Sequence, residues 1–166
     1  MASLKTTEVL DKIKAELESI DPTIGKVFAT LRASADPEDL ITDYLVKDTK
    51  AGKVLKAWVI HPGRATIKRS TIGNTGFSNR MRTIVIDGFM TIQHKNEPES
   101  DRILMDELDK VILKLQSLQR LQTEAQGDTF HPGNIEMTPL GVAKVSNHNV
   151  IAAQLMIVIQ DRFLGS

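Results

Sequence analysis

The sequence predicts an α+β fold: a mixed or mainly antiparallel β-sheet with two or three helices packed on it. Three observations predict it. The apolar pattern switches between a helical period near 3.6 residues and a strand period of two along the chain. The period-two segments of the middle and C-terminal thirds follow one another through short turn-forming stretches, which favours antiparallel or mixed pairing. Two amphipathic segments, one N-terminal and one central, each carry a single apolar stripe that has to be buried against something. With 166 residues, the chain fits one domain spanning 1–166. At that length roughly 70% of the unfolded surface can be buried, so no covalent staple is needed.

Thr6 or Thr7 caps a first helix reaching about Ile20, with Glu8 and Asp11 in its first turn. Its stripe is Val9, Leu10, Ile13, Leu17 and Ile20. Asp21-Pro22 ends it, because a residue before proline is pushed out of helical geometry. Gly25 to Leu31 predicts a short strand. Asp36-Pro37-Glu38-Asp39 marks a helix start, and this short helix runs to about Val46. Lys50 to Lys53 is a turn. Leu55 to His61 is a strand, broken by Pro62-Gly63, with Arg64 to Ser70 continuing as extended chain. Gly73 to Asn79 is a flexible loop.

Thr83 to Gln93 is the next strand. Ile84, Ile86, Gly88, Met90 and Ile92 share one face, and Val85, Asp87, Phe89 and Thr91 the other. Pro98 and Asp101 open the longest helix, which reaches about Gln122 with Ile103, Leu104, Leu108, Val111, Ile112, Leu115, Leu118 and Leu121 as its stripe. His131 to Asn134 is a loop, Ile135 to Thr138 a short strand, and Pro139-Leu140-Gly141 a turn. Val150 to Gln160 is apolar on both faces, as expected of a strand inside the sheet.

Composition narrows function. There are no cysteines, so disulfides and thiolate metal sites are excluded, and a reducing compartment is expected. No apolar run is long enough to span a bilayer as a helix, and the N-terminus has no apolar signal core, so a soluble cytoplasmic chain is expected. The 21 basic and 21 acidic residues cancel, but they are segregated. From Thr49 to Ile86 there is no Asp or Glu, while Lys50, Lys53, Lys56, Arg64, Lys68, Arg69, Arg80 and Arg82 all fall there. Acidic segments flank this block on both sides. A neutral chain arranged in this way has no general affinity for polyanions but can present one basic surface.

Catalytic signals are weak. His61, His94, His131 and His148 show no metal-ligand spacing, and each is expected at a strand end or in a loop, solvated or locally bonded. Asp87 stands in the middle of an apolar strand, away from the predicted helices. Its bland reading is a partly wet sheet face. The stretch Gly73-Asn74-Thr75-Gly76 lacks the residues of a phosphate loop, and no Gly-x-Ser-x-Gly elbow occurs. Aromatics are too few for a base-stacking platform. Trp58 suits an interface anchor, and suits ordinary sheet core better. The residues thus predict no enzyme, no catalytic residue, no cofactor and no metal.

With the elements placed, the chain resembles the bacteriophage tail terminator and tail-completion family and its related minor tail and neck proteins. The resemblance lies in the helix Thr7 to Ile20, the strand Arg82-Thr-Ile-Val-Ile-Asp-Gly-Phe-Met-Thr-Ile92, the helix Asp101 to Leu121 and the closing strand His148 to Gln160. It implies a small subunit that forms a homo-oligomeric ring, often a hexamer, which ends a tail tube and joins it to the head. The implied partners are the tail tube and the neck or head-completion proteins, in a virion tail or neck assembled in the host cytoplasm. The family has no catalytic residues to carry over, and Gly63 to Arg82 corresponds to its variable inter-strand loop.

Charge segregation suits a head-to-tail ring, in which different faces of neighbouring subunits meet. Arg64, Lys68, Arg69, Arg80 and Arg82 are the candidates for one surface that meets either DNA in a channel, through sequence-blind phosphate contacts, or an acidic neighbouring subunit. The alternatives are a nucleic-acid-binding module using Lys50 to Arg82, and a small enzyme or ligand domain built around Asp87 or scattered histidines.

Overall fold

The computed structural model describes residues 5–30, 42–49, 52–69, 77–92, 97–118, 121–122, 129–145 and 148–164. Helix α1 is Thr6–Glu18, followed by a 3-10 turn, Pro22–Ile24. The strands are β1 (Lys26–Phe28), β2 (Leu45–Thr49), β3 (Gly52–Arg69), β4 (Phe77–Thr91), β5 (Leu121–Gln122), β6 (Thr129–Val145) and β7 (His148–Leu164), with helix α2 (Glu97–Ser117) between β4 and β5. The sheet order is β1-β3-β4-β7-β6-β5, with β2 beside β3. Among the described residues only β1 pairs in parallel, and the other pairings are antiparallel. This is the expected mixed, mainly antiparallel α+β fold.

Apolar stripes decide the layering. Val9, Leu10, Ile13 and Leu17 of α1 and Leu104, Leu108, Val111 and Leu115 of α2 are buried in one cluster with Trp58, Ile60, Ile84, Ile86, Leu155 and Ile157 of the sheet. Both helices therefore cover the same sheet face, the one that alternation assigns to Ile84, Ile86, Gly88 and Met90. The opposite face carries a smaller cluster of Tyr44, Leu55, Ala57, Val59, Phe89 and Val150. Tyr44 meets Phe28 and Phe89 edge-on there, at centroid distances of 5.2 and 4.9 Å. β7 lies between β4 and β6, the interior position that its two apolar faces require.

Tight approaches fix the β3 side. Gly25 has φ +102°, and a Cβ there would stand 2.5 Å from the Lys56 carbonyl oxygen. Only glycine fits the entry into β1. Trp58 is fully buried, and its Nε1 donates to the Ile24 carbonyl at 2.9 Å, which ties the 3-10 turn to the sheet. Glu16 of α1 and Lys114 of α2 join the two helices at 3.0 Å.

Several expectations are corrected. Neither threonine caps α1: Lys5 precedes the first helical residue, Thr6, and the Glu8 carboxylate accepts the Lys5 backbone N–H at 3.2 Å. The strand predicted for Gly25 to Leu31 contracts to Lys26–Phe28. The predicted Asp36–Val46 helix falls mostly outside the described residues; 42–44 are helical, but Leu45 and Val46 belong to β2. Of the Lys50–Lys53 turn, Gly52 and Lys53 already belong to β3. Helix α2 stops at Ser117, and Leu121–Gln122 pairs with β6, so the predicted extension to Gln122 overruns. Ile103 is 38% exposed and leaves the stripe.

The largest correction concerns prolines and glycines taken as breaks. Pro62-Gly63 does not end β3; the chain bulges between Pro62 and Ala65 and continues to Arg69. The predicted loop His131–Asn134 and turn Pro139–Gly141 both lie within β6, at register shifts between Pro132 and Ile135 and between Thr138 and Gly141. Proline lacks a ladder donor, so it is tolerated on strand edges and at bulges. Of the Gly73–Asn79 loop, 73–76 lie outside the described residues, and Phe77, Ser78 and Asn79 open β4.

Candidate functional site

The long strands outrun the helices. At about 3.3 Å per residue, the 18 residues of β3 extend roughly 60 Å. The 21 residues of α2 reach only roughly 32 Å at 1.5 Å each. The end of the helix layer is marked by Arg82. It is 3% exposed, on the helix side of β4, and its guanidinium donates to Thr6 Oγ1, at the start of α1, at 3.3 Å. Beyond it the sheet continues as an arm, with Ala65–Arg69 of β3 in register with Arg82–Ser78 of β4, and β4 in turn with Gln160–Leu164 of β7.

The five candidate residues are therefore not one equivalent surface. Arg64 is exposed, in the β3 bulge. Arg80 is half-buried, one step along the same face from Arg82, and its register partner in β7 is Asp161. Arg82 is buried against α1, which corrects its placement on an open surface. The backbones of Lys68 and Arg69 lie in the arm opposite Asn79 and Ser78. A further cation of the acid-free block, Lys56, is also buried. Its Nζ sits 2.9 Å from Glu107 Oε1 of α2, with Lys110 at 3.4 Å from the same oxygen. The block thus supplies internal ties as well as surface charge.

Large apolar side chains are exposed on the arm. Ile67 is 59% exposed and Met81 38%. On the outer face of α2, Met105 is 51% and Leu113 65% exposed. Sequence reasoning missed this second set. The signal was present as apolar residues off the main α2 stripe, spaced eight apart on one ridge with Asp109 between them.

On the sheet face away from the helices, Asp87 is held by two neighbours. His61 Nε2 lies 2.8 Å from its Oδ2, and Gln154 Nε2 donates to its Oδ1 at 2.7 Å. The Asp87 side chain is 36% exposed and His61 20%. This is the partly wet sheet face expected of Asp87, with both carboxylate oxygens engaged. His61 sits inside β3 rather than at a strand end, and His131 lies within β6 rather than in a loop. His148 opens β7, and His94 falls outside the described residues.

Among the described residues no group of three or more His, Asp or Glu could hold a metal ion. No described helix is long and apolar enough to cross a membrane. Comparison with models of known protein families and with curated proteins finds no match for this chain.

Proposed function

We propose that this chain is a non-enzymatic structural subunit that assembles into a ring, as a tail terminator or neck component joining a tail tube to a head. The observation that carries the reading is the arm: a multi-stranded extension past the helix layer that exposes Ile67 on one face and Met81 on the other, with exposed Arg64 in the bulge at its base. Isolated exposed apolar residues are ordinary, but apolar residues exposed on both faces of a charged strand extension suit a contact between macromolecules. The resemblance in element order supplies the particular assembly, with a hexamer as the expected ring, tail tube and neck proteins as partners, and DNA phosphates as a non-specific channel contact.

The test is the mass of the purified chain over a concentration series, alone and with polymerised tail tubes, followed by imaging of the tube ends. Closed rings, free or capping tubes, support the proposal. A chain that stays monomeric throughout and never decorates a tube end overturns it. Tight DNA binding by that monomer, with the steep salt dependence of phosphate contacts, would favour the nucleic-acid module instead.

A further inference from the structure

We infer that two copies of this chain pair through the helix-covered side of the sheet, the outer ridge of α2 in each resting on the β6 margin of the other. The inference goes beyond the ring reading and does not depend on it, because a twofold contact closes on two copies instead of propagating. One surface is the ridge of α2, where Met105 and Leu113 are 51% and 65% exposed, with exposed Asp109 between them and Asp106 alongside. The other is the margin of β6. Met137 and Val142 are register partners of Leu155 and Ile151, which are buried beneath the helices. The extra residue between Thr138 and Gly141 resets the alternation, so both side chains lie on the helix side of the sheet. α2 packs across β4, β7 and β6 yet leaves them 52% and 73% exposed. They form a shelf beside α2, at the foot of a step about one helix diameter, roughly 10 Å, high.

Ridge and shelf share one spacing and one level. Met105 and Leu113 are separated by about 12 Å along the helix axis. Ile151 and Leu155, the register partners of Val142 and Met137, are about 13 Å apart along β7. Glu107 pairs with Lys56, whose row continues through Met90 and Ile151 to Val142, so the Met105 end of α2 stands level with Val142. From there α2 runs towards the Arg82 end of the sheet. Lys114 meets Glu16, about 15 Å along α1 from the Thr6–Arg82 contact, whereas the Lys56 row is about 26 Å from Arg82. Leu113 is then level with Met137. A twofold axis parallel to α2 sets Met105 of one copy on Val142 of the other and Leu113 on Met137, with the two α2 helices side by side between two sheets. Charge agrees. Asp106 and Asp109 outnumber Arg102 on the ridge, and neither is in an ion pair among the described residues. The shelf ends in exposed Lys144, on the same face as Val142. Ridge on ridge would set aspartate against aspartate, and shelf on shelf lysine against lysine, which is costly at an interface. Each surface accepts the other and one chain carries both, so the occupant is a second copy.

The absence of native cysteines makes the test clean. Met105→Cys, Leu113→Cys, Met137→Cys and Val142→Cys are made as separate proteins, mixed in pairs and treated with a short bismaleimide. Efficient cross-linking is expected in the matched mixtures, Met105→Cys with Val142→Cys and Leu113→Cys with Met137→Cys. The crossed mixtures, Met105→Cys with Met137→Cys and Leu113→Cys with Val142→Cys, should link poorly. In sedimentation, Lys144→Glu should weaken the dimer about tenfold, and adding Asp106→Lys to the same chain should recover much of the loss. All these positions are exposed, and unchanged thermal melts confirm folding. Equal linking of matched and crossed mixtures, or linking of Leu113→Cys chiefly to itself, overturns the contact. So does a wild-type chain that stays monomeric up to about 1 mM. Rings that form without matched cross-links overturn it and leave the ring reading standing. Matched cross-links in a chain that forms dimers and never a ring, alone or on tubes, support it and remove the ring reading.

Discussion

Trp58 fills the space that a side chain at Gly88 would need. The two are register partners on β3 and β4, and a Cβ built on Gly88 would stand 2.4 Å from Cζ3 and 2.7 Å from Cε3 of the indole. The glycine that interrupts an otherwise apolar strand is there because the sole tryptophan lies across its backbone. With Nε1 bonded to the Ile24 carbonyl, the same ring holds the 3-10 turn, β3 and β4 together.

Gly88→Ala is therefore expected to destabilise the fold by about 1–3 kcal/mol through overpacking, despite alanine's better backbone propensity. Urea unfolding followed by Trp58 fluorescence reads both the midpoint and the displacement of the ring. Combined with Trp58→Phe, which shrinks the ring, the loss from Gly88→Ala should fall. Equal losses in both backgrounds would show that the ring is not the obstacle.

The Lys56–Glu107 pair gives a second prediction. Lys56 and Glu107 side chains are 11% and 7% exposed, and Glu107 Oε2 is buried with no hydrogen-bond partner among the described residues. Lys56→Met removes the nearest countercharge from a buried carboxylate and should cost about 3–5 kcal/mol. Replacing both residues, Lys56→Met with Glu107→Leu, should recover most of that loss, because no uncompensated charge remains. A double variant as unstable as the single one would mean that Lys56 acts through its packing alone.

How far the sequence reaches is visible in these same residues. The period-two alternation of β4 placed Ile84, Ile86 and Met90 together on one face, which is the face the helices cover, and the two apolar faces of β7 placed it inside the sheet. Alternation is a direct consequence of strand geometry and survives any topology. What failed was local punctuation. Pro62, Pro132 and Pro139 mark bulges in β3 and β6 rather than chain reversals. Whether proline ends a strand depends on which neighbour its missing N–H faces, and that is a property of sheet order, not of local sequence. The basic block failed similarly. Counting charges cannot show that Lys56 and Arg82 turn inward to Glu107 and Thr6.

Arg82 and Arg64 should therefore behave differently. Arg82→Ala removes a buried side chain whose head meets Thr6, and should cost about 1–3 kcal/mol of stability. Arg64→Ala, at an exposed bulge, should stay within about 0.5 kcal/mol of wild type. Thermal or urea unfolding of the monomer separates them. If Arg82→Ala unfolds at the wild-type midpoint, its burial contributes nothing to the fold, and its role must be sought in assembly.

The prolines of β6 lead to the last prediction. Beyond its short pairing with β5, the outer edge of β6 has no strand partner among the described residues, and Asn134 to Thr138 and Gly141 to Lys144 are mostly exposed. Exposed Met137 (52%) and Val142 (73%) make this edge sticky as well as open. An edge of this kind is a template for indiscriminate strand addition. Pro132 and Pro139 withhold backbone donors, each register shift twists the strand away from a flat ladder, and Lys144 adds an exposed charge. These features suppress pairing along β6. Pro132→Thr with Pro139→Thr should thus leave the folded core intact yet raise aggregation, read as light scattering over days at high concentration and as binding of an amyloid dye. Adding a lysine at Val142 should reverse the effect, since an edge charge blocks the ladder without restoring the prolines. Unchanged solubility of the double threonine variant would sink the idea that the β6 prolines guard this edge, and would leave the bulges themselves as the sufficient barrier.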